Sequence, residues 1–291
     1  MEFQGICRKM HADLANHSVT HHDTEQANVE YTFILDNSKV DIPFSVGQHI
    51  EISWTGNIYC TSCGKKTPKS YSQGHCFKCF KTKAECDMCI MKPETCHYHM
   101  GTCREEDFAQ RVCFQPHIVY LANSSALKVG ITRLGQMPTR WLDQGATQAL
   151  PIMKVGSRRL SGHLETMFAE QVADKTDWRK LLKGEAEPLD LIQTRDELLG
   201  EFQEQIEEIS DEFSLNIEFD EDVKILANEK QREFIYPVQT YPTKIKSHNL
   251  DKTPIIGGVL QGIKGQYLIF DTGVINIRKY TGYELKLHFS L

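Results

Sequence analysis

The order of apolar and polar residues divides the chain into a β-type beginning, a mixed middle and a β-type end. Near the start, VEYTFIL (residues 29–35), a polar DNSK turn, VDIPFS and HIEISWTG show partly alternating apolar positions and no helical spacing. The C-terminal runs IIGGVLQGI, QYLIFD, VINIRKY and YELKLHF are of the same type, separated by glycine-containing turns. GQHIEISWTGNI (47–58) is similar to GQYLIFDTGVI (265–275): a GQ pair, an apolar run, then TG. Both termini are therefore expected to supply related hairpins to one β-domain, with everything between them inserted. Within the insertion, HIVYLANSSALKVGITR (117–133) reads as a hairpin and LPIMKVGS as a strand. LSGHLETMFAEQVAD sets Leu160, Leu164, Met167, Phe168 and Val172 on one helical face. A second helix is expected from about Leu189 to Phe213, with Ile192, Leu199, Phe202, Ile206, Ile209 and Phe213 as its apolar stripe.

Length and charge refine that picture. The 291 residues suffice for about two domains with an ample core. MEFQGICRKMHADLANHS has no continuous apolar stretch behind its basic residues, and no segment approaches the roughly 18 apolar residues of a membrane span, so a soluble, cytoplasmic protein is expected. The net charge of −6 is unevenly spread: residues 185–222 hold 1 Lys/Arg against 15 Asp/Glu, whereas 58–116, 117–184 and 223–291 carry net +3, +5 and +5. One acidic helix thus hides a basic middle and a basic end, the asymmetry that a phosphate-binding surface needs. The acids themselves read as a solvated helix face, with recruitment of a protein partner as the functional alternative.

Eight of the ten cysteines lie between Cys60 and Cys103. In a reducing compartment this crowding points to metal rather than disulfides. Cys60, Cys63, Cys76 and Cys79 form CxxC, twelve residues, CxxC, and two such knuckles complete a tetrahedron of thiolates around Zn²⁺. Cys86, Cys89, Cys96 and Cys103 form a less regular second set, with His97 and His99 as competing ligands. Two structural zinc ions are expected. Cys7 and Cys113 have no sequence partners and read as buried apolar residues.

IVY at 118–120, KVG at 128–130, the TRW that follows, the LPIMKVGS strand and the helix RRLSGHLETMF together resemble the ββαβα core of the GIY-YIG nuclease superfamily over residues 117–180. The resemblance implies that Tyr120 helps activate the attacking water, that Arg140 steadies the phosphate and that Glu165 holds a divalent ion, Mg²⁺ or Mn²⁺. Lys128 stands where the second motif usually has tyrosine, the gap between the motifs is short, and the family's asparagine after the second helix has no counterpart near TDWRK (176–180). Gly130 is expected to let the backbone turn closely beside the phosphate site. The arrangement, with GTCRE after the cysteines and GIKGQYLIFDTGVINIRKYTGY near the end, also resembles an uncharacterised bacterial family of zinc-containing proteins, a domain of unknown function.

These readings combine into an α+β protein: residues 1–57 and 223–291 build the β-domain, 58–116 the zinc-binding region, 117–184 the GIY-YIG-like core and 185–222 the acidic helix. Its expected function is nucleic-acid binding, DNA or RNA, with divalent-metal-dependent phosphodiester cleavage at Tyr120, Lys128, Arg140 and Glu165. The alternatives are a non-catalytic nucleic-acid or ribosome-associated binding module and a structural adaptor for a protein partner.

Overall fold

Along Tyr283–Ser290 the odd residues Tyr283, Leu285, Leu287 and Phe289 are buried and Lys286 and His288 are exposed, the period-two pattern of a strand with one wet face. It lies in a six-stranded antiparallel sheet of order Glu2–Ile6, Tyr283–Ser290, His49–Ile58, Ile255–Lys264, Tyr267–Phe270 and Gly273–Asn276. Both ends of the sequence meet in that sheet. The computed structural model describes residues 1–21, 23–36, 38–39, 45–172, 177–214 and 223–290, so VDIPFS falls almost wholly outside the described residues.

The internal similarity between residues 47–58 and 265–275 does not become a repeated hairpin. His49–Ile58 is one unbroken strand, whereas Gly265–Ile275 folds back through Tyr267–Phe270 and Gly273–Asn276. Tyr283–Ser290 pairs with it from His49 to Ile58 and Ile255–Lys264 pairs with His49–Ser53, so the strand is held along one side throughout and along the other over its first half.

A second sheet has the order His11–His21, Thr24–Thr32, Gln231–Ile235, Gln148–Val155, His117–Asn123 and Leu127–Arg133, with Val223–Ile225 also on Gln148–Val155. Thr24–Thr32 and Gln231–Ile235 run parallel and the other pairs antiparallel. The strands His11–His21, Thr24–Thr32, Val223–Ile225 and Gln231–Ile235 thus share a sheet with the inserted core and not with the terminal strands. Ala12, Val29 and Phe234 bury their side chains beside Trp141, which holds them there.

His117–Asn123 is buried along its whole length. Val119 and Leu121 face the helices Arg158–Phe168, Leu191–Glu201 and Gln203–Ser214, while Ile118, Tyr120 and Ala122 face Trp141, Leu142 and Phe234. The chain order here is strand, strand, helix Thr139–Asp143, strand, helix Arg158–Phe168, with His117–Asn123 between its two neighbours. Ser157 caps the last helix, accepting a hydrogen bond from the Leu160 amide at 3.2 Å. A Cβ on Gly162 would lie 2.6 Å from Pro93 Cβ and 2.7 Å from the Glu94 nitrogen, so the cysteine-rich segment presses directly on this helix.

The acidic stretch forms two helices, Leu191–Glu201 and Gln203–Ser214, broken at Phe202. Leu191, Leu198, Phe202, Ile206 and Phe213 are buried, with Ile192, Leu199 and Ile209 at the margin, because the break resets the phase of the stripe. Glu197, Glu201, Glu204, Glu207, Glu208, Asp211 and Glu212 are exposed. Among the described residues no helix is long and apolar enough to cross a membrane.

Candidate functional site: an arginine pocket beside a cysteine knuckle

In the hairpin His117–Arg133, Tyr120 stands directly opposite Gly130. A Cβ on Gly130 would come within 2.7 Å of both Cζ and Oη of Tyr120. Gly130 lies mid-strand in ordinary extended backbone, so the expected turn is absent; glycine instead leaves room for a phenol lying across the strand. The ring is fully buried, packs edge-on against Trp141 at 5.8 Å and donates to Gln144 Oε1 at 3.0 Å. Lys128 Nζ, also buried, donates to the same amide oxygen at 3.0 Å. Gln144 was invisible to motif reasoning, being neither titratable nor part of a pattern.

Burial pushes the Tyr120 phenol up to about 12, with Arg140 pulling it down and Glu165 pushing it up. Burial lowers Lys128 to about 8, Arg140 lowers it further, and Glu165 opposes them. The four predicted residues therefore lie within electrostatic reach of one another. They are not equivalent, however. Arg140 and Glu165 line a cavity of about 290 Å³, whereas Tyr120 and Lys128 lie beneath its wall.

Arg133, Arg158 and Arg278 line the same cavity. Arg278 comes from the terminal sheet region and holds Gln73 of the cysteine knuckle, donating from Nε at 3.2 Å and Nη2 at 3.0 Å. Arg158 donates to the Ile90 carbonyl at 2.7 Å, leaving its buried Nε without a hydrogen-bond partner. Burial lowers both of these guanidinium pKa values, and the Arg140 cation adds to it in each case. Four arginines against one carboxylate is a charge set suited to a polyanion. Arg159 turns away and stacks over Phe213 at 5.2 Å, because adjacent helical residues point about 100° apart. Arg278 and Gln73 carried no sequence signal, each being far from the hairpin along the chain.

A second cavity, of about 550 Å³, shares Gln73 and Arg278 with the first and is lined by Trp54, Lys69, Tyr71 and Lys279. Beyond it the knuckle exposes Tyr71, Phe77 and Phe80. The Tyr71 ring lies 5.2 Å from Phe77 and 6.4 Å from Phe80, Lys69 sits over Tyr71 at 5.5 Å and Lys81 over Phe77 at 4.6 Å.

The knuckle has the geometry of a metal centre. The sulfurs of Cys60, Cys63, Cys76 and Cys79 all lie within 4.8 Å of one another, and Cys63 Sγ is 3.9 Å from Cys76 Sγ. Zn–S bonds of about 2.3 Å in a tetrahedron place sulfurs about 3.8 Å apart. Gly64 takes φ +69° just after the first CxxC, and the Gly64 amide donates back to the Cys60 carbonyl at 2.9 Å, closing the knuckle. Burial would raise the Cys60 thiol, but the amides of Cys76, Cys63 and Ser62 outweigh it and lower the pKa to about 6. Burial and neighbouring thiols push Cys79 up. One thiolate is thus prepared for a cation that would ionise the rest. The four sulfurs form a cluster of the kind that binds zinc.

The second predicted set is Cys86, Cys89, Cys96 and Cys103. Cys89, Cys96 and Cys103 line one small cavity, but Cys86 does not; Cys113 does. Cys7 is fully buried in the terminal-sheet core, whereas Cys113 is only partly covered.

The chain belongs to the DUF2797 family. The family's sequence model, described as a protein of unknown function, matches residues 47–285 and so spans the knuckle, both cavities and the two helices of the acidic stretch. No curated protein and no solved structure matches the chain.

Proposed function

We propose that this DUF2797 protein binds nucleic acid across the arginine pocket and acts there as a GIY-YIG-type, divalent-metal-dependent phosphodiesterase. The observation that carries this reading is the convergence of Arg140 and Glu165 with Arg133, Arg158 and Arg278 on one cavity, directly over Tyr120 and Lys128. The ββαβα order of the surrounding elements supports the resemblance. The exposed rings and lysines of the adjoining knuckle suit the stacking of unpaired bases beside a phosphate track.

Glu165 is the residue that would hold Mg²⁺ or Mn²⁺. Among the described residues Glu165 belongs to no group of three or more such ligands, so water and phosphate oxygens would supply much of the shell, as Mg²⁺ favours. When bound, the ion would supply charge stabilisation at the phosphate. The arginines orient the phosphate and offset its developing charge. Of these two buried groups, Lys128 at about 8 has a minor neutral, proton-accepting form near pH 7, far more abundant than the phenolate of a group at about 12, so Lys128 is assigned the base and Tyr120 the role of positioning it through Gln144.

The buried, hydrogen-bonded phenol also favours a second reading, a nucleic-acid or ribosome-associated module that binds without cutting. Single- and double-stranded DNA and RNA, incubated with excess protein and Mg²⁺ or Mn²⁺, separate the two. Glu165→Gln should abolish metal-dependent cleavage and leave binding nearly intact, while Arg140→Ala should lower both. Cleavage that persists in Glu165→Gln refutes the catalytic assignment. Retained binding with no cleavage of any substrate selects the second reading. The exposed acids of the paired helices remain a proposed face for a protein partner.

A further inference from the structure

Between Ala84 and Phe114 the chain contributes no side chain to the hydrophobic cores of the described residues. It is a succession of short 3₁₀ turns and one helical turn, in which only Ala84, Pro93 and Ala109 are buried. A segment with so little apolar burial needs another source of cohesion to offset its conformational entropy. What it encloses is a cavity of about 20 Å³ with the cysteines 89, 96, 103 and 113 in its wall. That is the space of about one water-sized sphere, enough for an ion and too small for an organic ligand.

We propose that this cavity is a second zinc site, ligated by Cys89, Cys96, Cys103 and Cys113, and that Cys86 is not a ligand. Cys113 reaches the cavity from the end of a π-helical turn, Ala109–Cys113, where the Phe114 amide donates to the Ala109 carbonyl at 2.9 Å. Such a turn inserts one extra residue and redirects the side chain at its end, and π turns concentrate at functional positions. The charged neighbours of the Cys113 thiol are Arg158, Cys96, Cys89 and Cys103; those of Cys86 are Glu85, Arg104, Cys60 and Glu105, on the side of the first knuckle. The four sulfurs do not all lie within 4.8 Å of one another as those of the first knuckle do; the donor atoms that do so in this segment are a mixed alternative, Asp87, Cys89 and His97. It is the weaker set, because Asp87 Oδ2 is already paired with Arg104 Nε at 2.6 Å and His97 Nδ1 with Thr102 Oγ1 at 2.7 Å. Asp87 and Arg104, paired with each other, line the same cavity as the thiols. The site has a structural consequence: Ile90, Met91 and Pro93, in the loop between Cys89 and Cys96, form one wall of the arginine pocket.

The test is the metal content of the purified full-length chain and its variants by elemental analysis, together with alkylation of the zinc-loaded wild type mapped by peptide mass spectrometry. We expect two zinc ions per chain in the wild type, in Cys86→Ser and in His97→Gln, and one in Cys113→Ser. If Cys113→Ser fails to fold, alkylation of the wild type still decides. Cys86 should react while Cys89, Cys96, Cys103 and Cys113 stay protected until a chelator is added. A single zinc in the wild type, loss of one zinc in Cys86→Ser or His97→Gln, or ready alkylation of Cys113 in the zinc-loaded protein would overturn the assignment.

Discussion

Replacing Gly130 by alanine puts a methyl group where the phenol of Tyr120 lies. The new Cβ would sit 2.7 Å from Cζ and Oη, closer than real carbon contacts allow, and a tight 3.1 Å from Cε2. The ring has little freedom to retreat, since it is fully buried, packs on Trp141 at 5.8 Å and is tied to Gln144 at 3.0 Å. Overpacking of this kind costs about 1–3 kcal/mol, and removal of a strand glycine returns about 0.5–1 kcal/mol. A net destabilisation of roughly 1–2 kcal/mol is expected, read as a lower midpoint in equilibrium urea unfolding. The cause is checked by a double-mutant cycle. Tyr120→Phe keeps Cζ and should give little relief, whereas Tyr120→Leu removes the ring and should make the further Gly130→Ala change nearly free, a coupling of at least about 1 kcal/mol. Gly130→Ala that is neutral in the wild type, or strictly additive with Tyr120→Leu, would refute the claim that this glycine exists to seat the phenol.

Other expectations follow from the same geometry. Chelation of zinc, or Cys60→Ser, should unfold the knuckle, since a thiolate zinc site contributes on the order of 10 kcal/mol; unchanged protease resistance of a zinc-free chain would contradict this. Nucleic-acid affinity should fall as salt rises, and Arg278→Ala should reduce the log–log slope by roughly 0.7–0.9, the share of one phosphate contact; neutralising the exposed acids between residues 197 and 212 should leave the slope unchanged. If Lys128 is the base, the cleavage rate should rise about tenfold per pH unit below about 8 and level off above it, a limb absent from Lys128→Met. Lys264 is fully buried, its ammonium lacks a hydrogen-bond partner, and burial lowers it from 10.5 to about 8. The folded chain therefore binds fewer protons than the unfolded one between those values, and stability should rise with pH across that window. Lys264→Met should stabilise the protein at pH 7 by on the order of 2–3 kcal/mol and should lose that advantage above pH 10.5; equal effects at both pH values would argue against a buried, destabilised ammonium.

The sequence by itself determined whatever depends on short spacing. Two residues between cysteines bring two thiols to one turn, and Cys60, Cys63, Cys76 and Cys79 do form one cluster. A stripe at 160, 164, 167, 168 and 172 buries one face of the chain, and those five residues are buried. The strand type of both ends and the mixed α+β class were legible for the same reason, because periodicity is a local property. Tertiary structure decided whatever depends on which distant segments meet. Only the sheet order sends residues 11–32 to the inserted core. Only the close packing of Gly130 on Tyr120 explains that glycine. Arg278 and Gln73, 205 positions apart, meet in the pocket wall, and Cys113 lines the small cavity beside Cys89, Cys96 and Cys103. Spacing along a chain fixes contacts within a few residues, whereas contacts across hundreds of residues are chosen by the burial of whole faces at once, and no local pattern records that choice.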